Sequence, residues 1–267
     1  MIRDITIGQY YPAKSPIHRM DPRTKLFGTL IFIISVFLFH SVAGYAVATL
    51  FLAGMIIISQ VPVKFIFKGL KAIFMILMIT MVFNILLTPG EVLWKIGIFK
   101  ITREGISMAV RMAIRLVYLV IGSSLMTLTT TPNQLTDGLE KSLRPLNKIH
   151  IPVHEIAMMM SIALRFIPIL LEETDKIMKA QIARGADFES GNLIQKVKNM
   201  VPLLVPLFIS AFRRANDLAM AMEARCYHGG DNRTQMKPLH YTRRDHIAYV
   251  VLFVYLAVAI GFIVMGW

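Results

Sequence analysis

Residues 26–63 carry no Asp, Glu, Lys or Arg. This run of 38 residues is far longer than the roughly 20 apolar residues that one helix needs to cross a bilayer core. A chain built this way must turn once inside the run. His40-Ser41-Val42-Ala43-Gly44 supplies the turn, so the run predicts two membrane helices, about 24–40 and 43–60. Composition agrees. Hydrophobic residues make up 55% of the 267, mean hydropathy is +0.60, and charged residues reach only 17% against about 25% in soluble domains.

The formal net charge is +13. In a soluble protein that excess would point to nucleic acid. Here no aromatic residues interleave with the basic ones, and cytoplasmic loops of membrane proteins are themselves rich in Lys and Arg. The reading is therefore a lipid bilayer as partner and no nucleic acid. Cys226 is the only cysteine, which excludes an internal disulfide and a cysteine-based metal site. No cofactor is implied. Residues 1–25 hold seven charges and prolines at 12, 16 and 22, unlike a signal peptide, and read as a polar lead-in.

Beyond the first two helices, Pro62, Lys64, Lys68 and Lys71 mark a basic loop or helix start. A third span follows at about 66–87 and stops at Thr88-Pro89-Gly90. Residues 88–104 read as a mixed-charge outer loop, with a re-entrant or interfacial piece around Val92-Leu93-Trp94. The fourth span covers about 105–130. It carries Arg111 and Arg115 at i and i+4, either snorkelling to the interface or facing the bundle interior. His246–Trp267 has no formal charge and reads as a fifth span.

Residues 131–245 differ in kind. They hold 12 of the 16 acidic and 16 of the 29 basic residues. Their apolar patches, Ile156–Leu164 and Val201–Phe212, are too short to span alone. Lys and Arg number five in 1–25, three in 61–71, three in 88–104 and sixteen in 131–245. The excess places the N-terminus and residues 131–245 in the cytoplasm and the C-terminus outside. The expected architecture is an all-α polytopic membrane protein. It comprises a lead-in and four spans in 1–130, a three-helix domain in 131–245 and a last span in 246–267.

Three helices are readable in the middle domain. Thr131 caps the first, about 133–148, with Pro132 at its first position. The second covers about 153–185. Its apolar positions include Leu170, Ile177 and Ile182, Glu172–Lys176 and Asp175–Lys179 are well-oriented i, i+4 pairs, and Pro168 allows a kink. The third covers about 193–228, with a stripe from Phe208 through Phe212, Leu218 and Met222 to Cys226, and Gly229-Gly230 at its end. Both long helices end in the same phrase, Ala183-Arg184-Gly185 and Ala224-Arg225-Cys226. A cation at a helix C-terminus is explained by the helix dipole, at about 0.3–1 kcal/mol. It is equally explained by a rigid, always-charged fork presented to an acidic pocket on a partner.

Four stretches together resemble the transmembrane T-component of energy-coupling factor (ECF) transporters, a class of ABC importers. They are Asp21-Pro22-Arg23-Thr24-Lys25-Leu26, the helix from Pro152-Val153-His154-Glu155 to Leu171-Glu172-Glu173, Ala183-Arg184-Gly185, and Ala221-Met222-Glu223-Ala224-Arg225-Cys226-Tyr227. The resemblance spans almost the whole chain. It implies a multi-pass subunit of the prokaryotic plasma membrane and three further expectations. Two cytoplasmic ABC ATPase subunits dock on Ala183, Arg184, Gly185, Ala224, Arg225 and Cys226. A substrate-binding membrane S-component rests on the upper helices at Met158, Met159 and Met160, where methionine is adaptable and ordinary core packing is the competing reading. The cargo is a vitamin or related micronutrient, and 152–227 is more similar to the shared than to the dedicated cobalt or nickel type. Cys226 stands where the family usually has Gly, which leaves the second helix end to Gly229-Gly230.

Other functions fit poorly. No Asp or Glu occurs at 22–90, 105–136 or 246–267, against a carboxylate- or zinc-dependent membrane hydrolase. His150 and His154 flank Pro152 without a third ligand. No phosphate-cradling Gly-x-x-x-x-Gly-Lys occurs, so the chain is expected not to be an enzyme and not to hydrolyse ATP itself. A self-sufficient permease would need polar groups in mid-membrane, for which Asn84, Ser123, Ser124 and Thr127 are the candidates. A non-transport scaffold is compatible with the composition alone.

Overall fold

Asp21 starts the first helix by accepting the Arg23 amide at 2.9 Å, with Pro22 at the first helical position. The computed structural model describes residues 10–39, 41–96, 99–188, 192–230, 236 and 238–264. Among these the α-helices are α1 (Pro22–Leu38), α2 (Val42–Ser59), α3 (Val63–Leu87), α4 (Arg103–Thr129), α5 (Pro132–Leu143), α6 (Val153–Ala183), α7 (Leu193–Ala224) and α8 (Arg243–Val264). A 3-10 helix (Arg144–Ile149) follows α5 because Pro145 breaks the α ladder. Thr131 and Gln134 cap α5 reciprocally, each side chain bonding the other's amide.

Two compact units result: Glu140–Pro238, and Gly8–Leu139 with Leu239–Trp267. The second holds α1 to α4 and α8. Its core joins Phe32, Val36 and Phe39 to Tyr45, Ala48 and Leu52 of α2 and to Leu252, Tyr255 and Ala259 of α8. Phe51 stacks on Tyr255 at 4.3 Å, and the Tyr255 hydroxyl meets Ser35 Oγ at 2.6 Å. Lipid tails are as apolar as these side chains, so close packing and buried hydrogen bonds hold the helices together, with small residues such as Ala48 and Ala259 permitting the approach. The outside is equally apolar: Leu50, Ile57 and Phe253 are each more than 70% exposed, as lipid-facing positions should be.

At the start of α1 and α8 lies a buried ionic knot. Asp245, fully buried, accepts from the Asp21 amide (2.8 Å), the Thr242 amide (2.8 Å) and the Thr242 hydroxyl (2.7 Å). Arg23 grips Asp21 with Nε and a terminal nitrogen and lies 4.1 Å over the Tyr241 ring. Lys25 Nζ donates to the carbonyls of Thr129 (2.8 Å) and His18 (3.3 Å), tying the end of α4 to the start of α1. His18 Nε2 donates to the Tyr11 carbonyl (2.9 Å), and its Nδ1 meets Ser15 Oγ (2.6 Å). Arg115 resolves toward the interior: it donates to the Phe37 and Phe39 carbonyls, at 3.2 Å each, and closes the end of α1.

Three expectations change. The described part of residues 92–102 is not a loop with a re-entrant piece but two antiparallel strands, β1 (Val92–Ile96) and β2 (Phe99–Thr102), paired Val92 with Thr102 and Ile96 with Phe99. Thr102 then caps α4 by accepting the Gly105 amide. The patch Ile156–Leu164 belongs to a 31-residue helix, α6, which is long and apolar enough to cross a membrane, because Pro168 does not break it. The α1 helix has 17 residues, about 26 Å, slightly short of a roughly 30 Å core. Four helices meet the length and hydropathy of a span, α2, α4, α6 and α8, and a fifth if α3, bent by 56° near residue 72, counts as one. The basic residues after Pro62 lie on the first segment of that bent helix.

Asp245→Ala leaves the buried Asp21 amide without its acceptor and removes both bonds from Thr242. It is expected to cost about 3 kcal/mol, seen as a lowered melting temperature in detergent, with Asp245→Asn milder. Melting equal to wild type would mean the knot does not hold this unit. Burial, with the charge of Lys25 adding to it, holds the His18 imidazole below its ordinary value of 6.5. The unfolded chain therefore takes the proton first. Stability from this group is complete above pH 6.5 and is lost as pH falls below it, so melting of wild type should decline on acidification more steeply than that of His18→Gln.

Candidate functional site

The helices α6 and α7, in the unit Glu140–Pro238, end in the same way. Gly185 takes φ +87° and donates its amide to the Ile182 carbonyl, while the Ala186 amide reaches Gln181. Cys226 takes φ +56° and donates to Glu223, while the Tyr227 amide reaches Met222. Both are complete Schellman caps with arginine as the last helical-side residue. The expected handover to Gly229-Gly230 does not occur: Cys226 itself adopts the left-handed conformation and α7 stops at Ala224.

In both caps backbone amides satisfy the terminal carbonyls. The arginines are therefore not needed as caps. Ala183, Arg184, Gly185, Ala224, Arg225 and Cys226 are all exposed. Neither Arg184 nor Arg225 has an ion pair or side-chain hydrogen bond among the described residues. Their small neighbours leave each guanidinium unobstructed.

The two helices pack on each other, and Arg214 meets Glu173 at 3.0 Å. The partners are 41 residues apart, the same offset that separates Arg184 from Arg225. Each arginine thus stands eleven residues past the ion pair along its own helix, an arm of about 16 Å. The pairs Glu172–Lys176 and Asp175–Lys179 do not close among the described residues. The Glu173–Arg214 pair was not anticipated, although the 41-residue offset of the two phrases pointed to it.

At the other end of α6, His154 Nδ1 bonds Glu140 at 2.9 Å, and the His154 ring sits where any Cβ on residue 230 would fall. Gly230 is thus a close-approach glycine. His150 is not beside His154 as a ligand. It adopts φ +62° at the end of the 3-10 helix, and no cluster of metal-ligating side chains occurs among the described residues. Met158 is half-buried, while Met159 (57%) and Met160 (43%) are exposed. On α7 the expected stripe is only half covered. Ala211, Leu218 and Met222 are partly buried, whereas Phe208 and Phe212 are open, in line with Val197, Val201 and Leu204 one face further up. An apolar face this extensive marks a surface for protein or lipid.

In the spans, the polar candidates are occupied by their own helices. Asn84 donates to the Thr80 carbonyl, Ser123 to Leu119 and Thr127 to Ser124, and Ser124 lies against Gly69 where α3 and α4 approach.

A family model described as cobalt transport protein matches residues 13–236. The chain is 58% identical over 262 residues to the energy-coupling factor transporter transmembrane protein EcfT of Clostridium kluyveri, covering 97% of each. It is 57% identical to that of Ruminiclostridium cellulolyticum over 92% of each chain. For that of Bacillus subtilis the identity is 50%, over 95% of this chain and 96% of the relative. The chain belongs to the EcfT family. Within this EcfT-family chain the matched residues include the whole of α6, α7 and both arginine caps.

The left-handed conformation costs a non-glycine residue about 1 kcal/mol. Cys226→Gly is therefore expected to raise the stability of the α7 end, read as slower amide exchange at Tyr227 and Cys226, with the Arg225 position unchanged. Unchanged or faster exchange would mean that Cys226 is held by something other than the cap.

Proposed function

We propose that this chain, the transmembrane subunit of an energy-coupling factor transporter and not itself an enzyme, transmits motion from two cytoplasmic ATPase subunits to a substrate-binding membrane subunit. Arg184 and Arg225 are the anchors, each set in a groove of one ATPase with its neighbours Ala183 and Gly185 or Ala224 and Cys226. The observation that carries this is the repeated cap, in which two arginines released from capping each stand eleven residues along their helix from one ion pair. A planar cationic fork on a rigid helix end suits a carboxylate pocket, where it pairs bidentately.

Residues 131–245 act as the coupling domain, with the arginine ends of α6 and α7 on the cytoplasmic side and the apolar length of α6 as a further candidate span, and the other candidate spans are α2, α4 and α8 with the bent α3. Met158, Met159 and Met160, with the open face of α7, receive the substrate-binding S-component; exposed methionines adapt to more than one surface. The cargo is a vitamin or related micronutrient selected by that subunit. The general name of the close relatives, which specifies no cargo, favours a shared subunit over a dedicated cobalt carrier, even though the family model's description names cobalt.

The alternative, a permease with its own solute site, is disfavoured by the self-bonded hydroxyls of Ser123 and Thr127. Arg184→Glu and Arg225→Glu should each lower co-purification with the ATPase subunits about tenfold or more, and together abolish ATP-dependent uptake. Arg213→Glu, exposed on the same helix, serves as the control. Normal assembly and uptake by the double variant would end the docking proposal. Solute retention by the purified chain alone would favour the permease.

A further inference from the structure

We propose that the transmembrane unit holds one anionic phospholipid, with an acyl chain in the cleft between α1, α2, α4 and α8 and the phosphate on Arg244. The cleft has a volume of about 280 Å³, near the lower end of small-molecule pockets, which run from roughly 300 Å³ upward. Its deep part is lined by Phe32, Leu125 and Leu252, and Gly28 leaves open space on the α1 side with no atom within reach of a Cβ. Ile58, Ile247 and Val251 on its rim are 48–63% exposed, so the cleft opens toward the surface that faces lipid.

The charge at one end selects the headgroup. Lys25 and Arg244 line the cleft at the start of α1 and of α8, about 12 Å along α8 from Leu252. Residues 16–25 and 241–247 contribute five Lys and Arg but only two carboxylates. Both carboxylates are engaged, Asp21 with Arg23 and Asp245 with three donors. Lys25 uses two of its three protons on carbonyls. Arg244 has no hydrogen bond or ion pair among the described residues. A cationic group at the end of an apolar slot between spans is the arrangement that binds acidic lipid headgroups. The proposal is independent of the docking role given to Arg184 and Arg225.

The test is photo-labelling of the full chain in mixed vesicles. Phosphatidylglycerol and phosphatidylcholine carrying the same photoactivatable acyl chain are compared. Wild type should be labelled on α1 and α8 about fivefold more by phosphatidylglycerol. Arg244→Gln should bring that labelling down to the phosphatidylcholine level. Gly28→Leu, and separately Ala248→Leu, should fill the slot and reduce labelling by both lipids while melting stays near wild type. Equal labelling by the two lipids, or no effect of filling the slot, would overturn the proposal. So would complete loss of labelling when partner subunits assemble on the chain, since a protein would then own the cleft.

Discussion

Asp245 joins the first turn of α8 to the residue that caps α1, 224 positions earlier in the chain. A fully buried carboxylate is costly unless donors and charge surround it. Here three donors do so, and Arg23 and Lys25 lie within the same cluster. The arrangement is economical because each group does two things. Asp21 caps α1 with its side chain and donates to Asp245 with its amide. Lys25 crosses to the last carbonyl of α4. Three apolar helices, α1, α4 and α8, which would otherwise slide in lipid, are thereby fixed in register at one end, and the aromatic stack of Phe51 on Tyr255 follows deeper in.

The other unit solves the opposite problem. Its helix ends are capped by backbone and leave a charged side chain exposed. If an arginine completed the cap, its guanidinium would be spent on terminal carbonyls. The Schellman turns at Gly185 and Cys226 remove that demand with backbone amides alone. The dipole still favours a cation there, so the residue is stabilised in place without being bound. From sequence the dipole and docking readings of Arg184 and Arg225 were equal. The backbone of the caps shows that neither arginine is needed to complete its helix end, which supports the docking role proposed above.

Much of the helical plan was legible because its signals are local. The 38-residue uncharged run demanded a break, and Ser41 provides it by accepting the Gly44 amide. Thr131-Pro132 and Thr88-Pro89-Gly90 mark ends by the conformations they forbid. What escaped was non-local or unusual in length. The strands β1 and β2 have only five and four residues, and Val92-Leu93-Trp94 breaks the apolar–polar alternation that would mark a strand. Asp245 looked like one more charge in a polar segment, although it is the carboxylate nearest the last apolar run. The length of α6 was read nearly correctly, but its capacity to span was missed because its apolar patch was weighed on its own and not as part of the whole helix.

The 41-residue offset ties these levels together. It recurs in the phrases at the helix ends and in the Glu173–Arg214 contact, so the two arms have the same length from a common contact. A one-residue insertion in either arm would rotate its arginine by about 100° and advance it by 1.5 Å, turning it off the face it now presents. On the proposed docking, equal arms cannot drift independently without losing one anchor. Substitutions within the arms are far less constrained. Cys226 in place of glycine shows this: it accepts the strain of a left-handed turn and leaves the cap, the arm and the position of Arg225 as they are on the other helix.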